Sequence, residues 1–353
     1  THLSRIFFAL FSQTTIHSKA MNQIVLDCER MKYDHTGLYH FCLNLGTYLK
    51  RAVHQEWEQV AYYVPASARG VFGNSTLYVP QNSLHKFLMP SLTPFTIWHS
   101  TYQNTSYMPR RNKNVKVVFT IHDLNFLYDE RKSETKKQKY LRHLQQNIDR
   151  SDVIVCISDY CRQDVLAHCD VGEKSMYVIH NGSNTPANAV LSKDSYRPKR
   201  PYVFTLGTVV RKKNFHVLLS LLQDEEMELV ISGRLDEPEY VSFIENQANE
   251  LGIRDRVHLT GKITEEEKAW YYRNCVAFAF PSIAEGFGLP VVEAMSYGKP
   301  LFLSNRTALP EVGGDVAFYF DDFDGEKMRQ VFWEGMECYQ MKNMREAIRE
   351  RAK

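Results

Sequence analysis

The sequence predicts an α/β protein made of two doubly wound parallel-sheet domains facing a cleft. Three observations carry that prediction. From Met21 onward, short apolar runs rich in β-branched residues alternate with longer amphipathic stretches, as parallel strands do when helices cover both faces of their sheet. The alternation comes in two series, separated by a polar, turn-rich segment at 186–200 that holds Pro186 and Pro198. The chain has 353 residues, 44% hydrophobic and 24% charged, which at roughly 100–200 residues per domain suits two domains, each with its own core.

Residues 1–20 are set aside as an N-terminal extension, natural or appended. Their apolar run, Ile6 to Phe11, is short for a signal peptide core of about 7–15 residues that also needs a small-residue cleavage site. The sharper alternative is a helix lying on a membrane surface. The first domain is expected over 21–185, with strands at 24–27, 60–64, 96–98, 116–121, 153–157 and 176–179. Between them a turn at Asp34–Gly37 leads into a helix over 38–50, whose apolar residues Leu38, Phe41, Cys42, Leu45 and Leu49 share one face. A second helix is expected over 131–149, and Ser158-Asp159 reads as a helix N-cap. After the linker at 186–200, the second domain is expected over 201–326, with strands at 202–206, 229–232, 257–259, 276–280 and 301–303. A helical segment at 327–353 follows. In such folds ligands lie at the carboxyl ends of the strands.

The composition excludes several classes. Seven cysteines, odd in number and without a C-x-x-C pair, fit free thiols in a reducing cytosol better than a disulfide framework or a zinc site. No apolar run approaches the about 20 residues that span a bilayer. P-loop, H-E-x-x-H, G-x-S-x-G and strand-linked G-x-G-x-x-G motifs are absent. Asp321-Asp322-Phe323-Asp324 reads as a solvated loop ahead of a helix, so no metal site is expected.

The net charge of +2 conceals an asymmetry: residues 1–150 hold 19 Lys/Arg against 10 Asp/Glu, and residues 151–353 hold 24 against 31. Arg110, Arg111, Lys113, Lys116, Arg131, Lys132, Lys136, Lys137, Lys139 and Arg142 supply 10 of those 19. A cationic first domain suits an anionic membrane face or a lipid-linked phosphate; the plain alternative is a solvated helix face. Nucleic acid is not expected, because no aromatics interleave with these charges on a recognisable module.

The most informative run is Pro281-Ser-Ile-Ala-Glu285-Gly286-Phe287-Gly288-Leu289-Pro290-Val-Val-Glu293-Ala294. It follows a strand and opens a helix near Pro290, where proline suits the first turn. Free N–H groups of that turn, beside the Gly286 and Gly288 backbone, make an anion site. Glu285 in the loop can accept bonds from hydroxyls, and Glu293 stands about one turn into the helix. On residue types alone, a plain strand-to-helix turn with solvated acids stays open.

Glu285 and Glu293 around E-G-F-G-L-P resemble the signature of the retaining group-1 (family 4) glycosyltransferases, which have the GT-B fold of two Rossmann-like domains. Further fragments follow in the family's order from about Gln23 to about Gly325. These are Thr36-Gly37, Val118–Leu124 with His122, Val178-Ile-His-Asn-Gly182, and Gly207-Thr-Val-Val-Arg-Lys-Lys-Asn214. The resemblance implies roles. Lys213 would bind the donor's diphosphate, with Arg211 or Lys212 as a second cation, stabilising the leaving group without a metal. Glu285 would hold sugar hydroxyls within the Gly286-Phe287-Gly288-Leu289 loop, and Glu293 the ribose. Gly37 would let backbone approach the diphosphate, Lys262 would sit at the base, His122 would line the sugar site, and His99 would face the acceptor.

The resemblance therefore implies a metal-independent, cofactor-free hexosyltransferase. Its donor would be a GDP- or UDP-sugar, GDP-mannose first, because the H-D-L and R-K-K-N fragments resemble polysaccharide mannosyltransferases. Its acceptor would be a glycan or lipid-linked saccharide in cell-surface polysaccharide or lipopolysaccharide synthesis. The expected location is cytoplasmic, peripheral on the membrane face. The alternatives are a nucleotide-sugar epimerase or hydrolase on the same fold, and a non-catalytic glycan-binding relative. Replacing Glu285 or Lys213 by alanine is expected to abolish transfer with little effect on folding.

Overall fold

All strands of the first unit's sheet run parallel. In chain order they are β1 (Asn22–Asp27), β2 (Glu58–Val64), β3 (Leu77–Pro80), β4 (Ile97–Ser100), β5 (Lys116–Ile121), β6 (Val153–Cys156) and β7 (Ser175–Val178). Their order across the sheet is β3-β2-β1-β4-β5-β6-β7. The computed structural model describes residues 22–34, 36–53, 58–183, 189–223 and 226–353. The first unit ends at His180 and the second begins at Asn181. The segment expected as an extension, 1–20, lies outside the described residues.

Strand alternation builds two cores, one on each face. Val25 packs with Ala61, Tyr63, Trp98 and Phe119; Ile24 and Leu26 pack with Val60, Tyr62, Ile97 and Val118. Such two-sided burial is why these strands read as continuous apolar runs. Helix α1 (Gly37–Ala52) buries Cys42 and Leu49 on one face, and α2 (Glu134–Arg150) buries Leu144 and Ile148 on the other. Helix α3 (Asp159–His168) is capped by Ser158, whose side chain accepts from Cys161 N. Strand β3 was not expected: it is four residues long, stands at the sheet edge and buries none of them fully, so it leaves no apolar pattern.

The second unit repeats the plan with β8 (Tyr202–Leu206), β9 (Glu228–Ser232), β10 (Val257–Gly261), β11 (Ala277–Phe280), β12 (Leu301–Ser304) and β13 (Phe318–Phe320). These parallel strands are ordered β10-β9-β8-β11-β12-β13. Its helices are α4 (Pro238–Glu250), α5 (Glu265–Asn274), α6 (Leu289–Ser296), α7 (Leu309–Gly313), α8 (Gly325–Met341) and α9 (Arg345–Arg351). Helix α5 starts with a capping box between Thr264 and Glu267.

Two boundaries differ from expectation. Of the segment expected as a linker, 186–188 lies outside the described residues, while later residues lie along the second unit: Tyr196 Oη donates to Glu228 Oε2 at 2.8 Å, and Arg200 pairs with Glu226. The segment expected as helical at 327–353 is two helices, parted where Asn343 takes φ +46°. Both pack into the second unit. The Phe332 ring lies 4.6 Å from Phe302, Tyr339 Oη donates to Gly298 O, and Arg351 Nε donates to Val312 O.

The strand order reverses between β1 and β4 in the first unit and between β8 and β11 in the second. At such switch points the connections leave in opposite directions, opening a crevice beyond the strands' carboxyl ends. The chain places Asp27 and His99-Ser100 at one, and Gly207 and Pro281 at the other.

A methyl group at Gly335 would stand 2.6 Å from Phe302 Cε1 and 2.8 Å from Phe318 Cγ. Stacked rings there cannot yield, so Gly335→Ala is expected to cost about 1–3 kcal/mol by overpacking. Denaturant unfolding would show it; an unchanged midpoint would refute the tight packing of α8 on β12.

Candidate active site

The second unit's site begins where β8 ends. Gly207 N donates to Ser232 O, and Gly233 passes so close that a Cβ there would lie 2.0 Å from Gly207 O. Only glycine fits that crossing, and Gly233 also takes φ +137°. The chain then turns through Arg211–Lys213 and closes the turn on Asn214 at φ +59°, a conformation that asparagine tolerates. This turn aims Lys213 inward. Its Nζ meets Glu285 Oε1 at 2.5 Å and lies 4.7 Å over the Phe280 ring.

Glu285 comes from the loop after β11, and neighbouring elements hold it at several points. Its N–H donates to Thr307 Oγ1 at 3.0 Å, and Ser282 Oγ donates to its Oε1. Ser304 Oγ donates to Ser282 O, and Ile283 N donates to Lys212 O, tying the loop to β12 and to the lysine turn. Burial works to raise the Glu285 pKa, but the charges of Lys213 and Lys212 and the hydrogen bonds from Lys213 and Ser282 outweigh it. The carboxyl is held below its ordinary range and is ionised at neutral pH.

Gly288 caps α6 at φ +104°, with Pro290 in the first turn. Gly286, Phe287 and Gly288 are buried, and Leu289 is half-buried. Glu293 is not joined to the Lys213 pair in the contacts seen. Its Oε1 takes Lys268 Nζ at 2.7 Å, and its Oε2 lies 3.0 Å from Tyr272 Oη, both from α5. Burial opposes the charge on Lys268, yet Glu293 and Glu265 prevail and raise its pKa. Burial and Glu293 push the Tyr272 hydroxyl well up.

Of the remaining cations, Arg211 lies over the Tyr240 and Phe243 rings at 5.7 and 5.2 Å while its N–H donates to Glu237 Oε2. Lys212 instead acts on the Glu285 charge. Lys262 is exposed, beside Gly261, whose carbonyl accepts from Gly233 N, and it helps hold Asp236 ionised. Sequence reading gave no role to Ser282, which lies within the Pro281–Ala294 run, and missed Gly233, Thr307, Lys268 and Tyr272. Those four come from other elements of the unit, and nothing in their local sequence marks them.

In the first unit, polar side chains gather where β1, β4 and β5 end. His122 Nε2 lies 2.8 Å from Thr101 O. A carbonyl only accepts, so Nε2 carries the proton and Nδ1 presents a lone pair. Burial lowers the His122 pKa despite that hydrogen bond and the charge of Asp123. The Phe41 ring of α1 meets the imidazole edge-on at 4.6 Å. His99 is only 2% exposed, with Nε2 at 2.8 Å from Thr120 Oγ1 and no hydrogen-bond partner for Nδ1 among the described residues. Burial, then the neighbouring His122, push its pKa down to about 4. Asp27 is 2% exposed; burial raises its carboxyl to about 8 despite the hydrogen bond from Glu29 N. Gly37 is the first residue of α1 rather than part of the preceding turn. Among the described residues, no atom beyond its chain neighbours and its own helix backbone lies within 4 Å of where its Cβ would stand. Packing within the chain does not require glycine there.

The family model described as Glycosyl transferases group 1 matches residues 191–353, and that described as Glycosyltransferase Family 4 matches residues 47–186. Together these matches make the chain a glycosyltransferase, with a group 1 domain over its second unit. Among curated relatives, O-antigen chain mannosyltransferase B of Escherichia coli is 29% identical over 233 residues. That match covers 62% of this chain and 60% of the relative, so the chain spans under two thirds of that protein's length. Sucrose-phosphate synthase from Thermosynechococcus elongatus superposes with a TM-score of 0.74 at 18% identity over 94% of each chain. Anabaena HepE, solved with UDP and glucose, superposes at 0.67 with 16% identity over 94% of this chain and 93% of that one. These structural neighbours show the GT-B fold class.

Two predictions follow from these charges. Lys213 and Glu285 are 12% and 13% exposed, so removing one leaves the other's charge less compensated, at a cost of up to about 3–5 kcal/mol, where sequence reading expects little effect on folding. A double-mutant cycle of Lys213→Ala and Glu285→Gln should show the double variant well above the sum of the singles; additive losses would refute the pair. Asp27 keeps its proton in the fold between its ordinary value of 3.8 and about 8, so the fold loses stability as pH rises through that window. Asp27→Asn is therefore expected to melt above wild type by a margin that grows from pH 5 to pH 8. A margin independent of pH would refute the buried neutral carboxyl.

Proposed function

We propose that this glycosyltransferase moves a hexose, mannose from GDP-mannose first, with retention of configuration. The acceptor is a glycan or lipid-linked saccharide of a cell-surface polysaccharide or lipopolysaccharide. The observation that carries this reading is the desolvated Lys213–Glu285 pair at the second unit's switch point, beside the start of α6. The likeness to an O-antigen mannosyltransferase supports the sugar and the acceptor class.

In this reading the bond from sugar C1 to the diphosphate oxygen breaks as the bond from C1 to the acceptor oxygen forms on the same face. The acceptor's proton passes to the departing phosphate oxygen. Lys213, Lys212 and the N–H groups opening α6 stabilise charge that grows on the leaving group. Lys212 takes the second-cation role, because Arg211 is engaged on its aromatic neighbours. No metal is invoked. Glu285, kept ionised, accepts bonds from sugar hydroxyls, and the backbone around Gly286 to Leu289 borders them. Glu293 accepts a ribose hydroxyl, since its oxygens have lone pairs beyond those met by Lys268 and Tyr272. Lys262 lies at the base and Gly37 at the diphosphate. His122 offers the Nδ1 lone pair to a sugar hydroxyl, and burial keeps that imidazole neutral. The acceptor would be met at an anionic membrane surface.

HepE's complex with UDP and glucose favours a second donor reading, a UDP-sugar. A thermal-shift comparison of GDP with UDP separates the two, since a ligand bound only by the fold raises its melting temperature. Under saturating donor, Glu285→Gln is expected to lower transfer by at least ~10²-fold, with the rate of wild type unchanged by a chelator. Wild-type turnover in that variant would overturn the assigned site. Release of free sugar or an epimer, with no acceptor product under any condition, would overturn the transferase reading.

A further inference from the structure

Among the described residues of the first unit, the most exposed large apolar side chains lie on one turn. After β3 the chain enters a 3-10 turn at Ser83–Lys86, capped by the Asn82 side chain, which accepts from Leu84 N at 2.9 Å. Leu84 is 69% exposed, Phe87 82% and Leu88 58%. Single exposed leucines are ordinary; three large apolar side chains within five residues are a patch.

The turn's inner side is anchored. His85 Nδ1 lies 3.1 Å from the Tyr63 hydroxyl, Lys86 Nζ lies 5.5 Å over the Tyr107 ring, and Met89 and Leu92 are buried in the core. The fold therefore presents Leu84, Phe87 and Leu88 outward in a fixed arrangement.

The charges around the patch identify its partner. Asn112 Oδ1 accepts from Leu92 N, and Asn112 Nδ2 donates to Pro90 O. This staples the basic loop to the same segment, with Arg111 and Lys113 exposed on either side of Asn112. Residues 59–122 hold six Lys/Arg and not one Asp or Glu. Lys116 is answered by Asp152 at 2.9 Å, which leaves Arg111 and Lys113 as exposed cations beside the knob. An apolar knob flanked by such cations matches the boundary of an anionic bilayer, where apolar side chains enter the acyl region and cations meet headgroup phosphates. A second copy docking through the same face would bring like charges together.

We propose that the 84–88 turn, with Arg111 and Lys113, docks the first unit on an anionic lipid surface. The proposal rests only on the membrane part of the function above; the transferase part stands or falls separately.

The test uses the full chain and phosphatidylcholine vesicles with and without a third of phosphatidylglycerol. Wild type is expected to sediment with the anionic vesicles and to be released as salt rises. The exposed triple variant Leu84→Ser/Phe87→Ser/Leu88→Ser should lose at least about tenfold in partitioning, with melting temperature and donor turnover unchanged. Arg111→Gln/Lys113→Gln should weaken binding and flatten its salt dependence. Phe87→Trp should shift its emission to the blue on adding anionic vesicles. Wild-type partitioning by the triple variant, with no shift from Phe87→Trp, would overturn the docking turn and leave the membrane reading to the α2 cations. No binding by wild type at low salt would overturn both. A wild-type dimer that the triple variant dissolves would assign the patch to a second copy instead.

Discussion

The second unit is organised around one constraint, an ion pair held almost out of water. A lysine and a carboxylate that are both little exposed are costly to desolvate, and the pairing compensates only when geometry is good and remaining lone pairs are met. Here Ser282 also binds the carboxylate, Thr307 fixes its backbone, and Phe280 lies under the ammonium. Each partner comes from the carboxyl end of a different strand, so the pair depends on the sheet order that brings β8 beside β11. The crossing of Gly207 and Gly233 belongs to the same requirement. Without that close approach the lysine turn would stand further from the sheet, and Lys213 would reach Glu285 only across solvent.

The two switch points solve the burial of titratable groups in opposite ways. In the second unit, cations and carboxylates are buried as charged pairs: Lys213 with Glu285, and Lys268 with Glu293. In the first unit the charge of Arg30 and the bond from Glu29 N fall short of the burial of Asp27, so the carboxyl keeps its proton, while His99 and His122 lose theirs. One site is thus built of preorganised charge, which suits a reaction that expels an anion. The other offers neutral acceptors and hydroxyls, which suit a sugar. In the first, acidification would protonate buried imidazoles; in the second, it would discharge Glu285.

Much of this was legible in the sequence because the features concerned are local. Lys213 sits in a turn whose shape its neighbours set, and Glu285 to Glu293 span one loop and the start of one helix. Strands buried on both faces announce themselves as apolar runs, so β1, β5, β8 and β11 were readable. Edge strands are not: β3 and the three-residue β13 bury too little to impose a pattern. Nor were partners that meet across the sheet. Gly233 follows a strand like any turn glycine, and Lys268 lies in a charged helix start that reads as solvated. Only the fold shows that one makes room for Gly207 and the other meets Glu293.

Glu293 shows why a motif and a site are different claims. The spacing from Glu285 suggests two equivalent carboxylates beside a helix end, yet the fold gives them unlike surroundings. Glu285 shares its lysine with the position where a diphosphate would bind, so an incoming anion competes for Lys213 and frees carboxylate lone pairs for hydroxyls. Glu293 is held by Lys268 and Tyr272 on its own side of the unit, and no competing anion is needed to orient it. A ligand that places phosphate at Lys213 therefore reorganises one carboxylate and leaves the other as a fixed acceptor. On the proposed reading, that difference suits the mobile bond to the reacting sugar and the rigid one to the nucleotide.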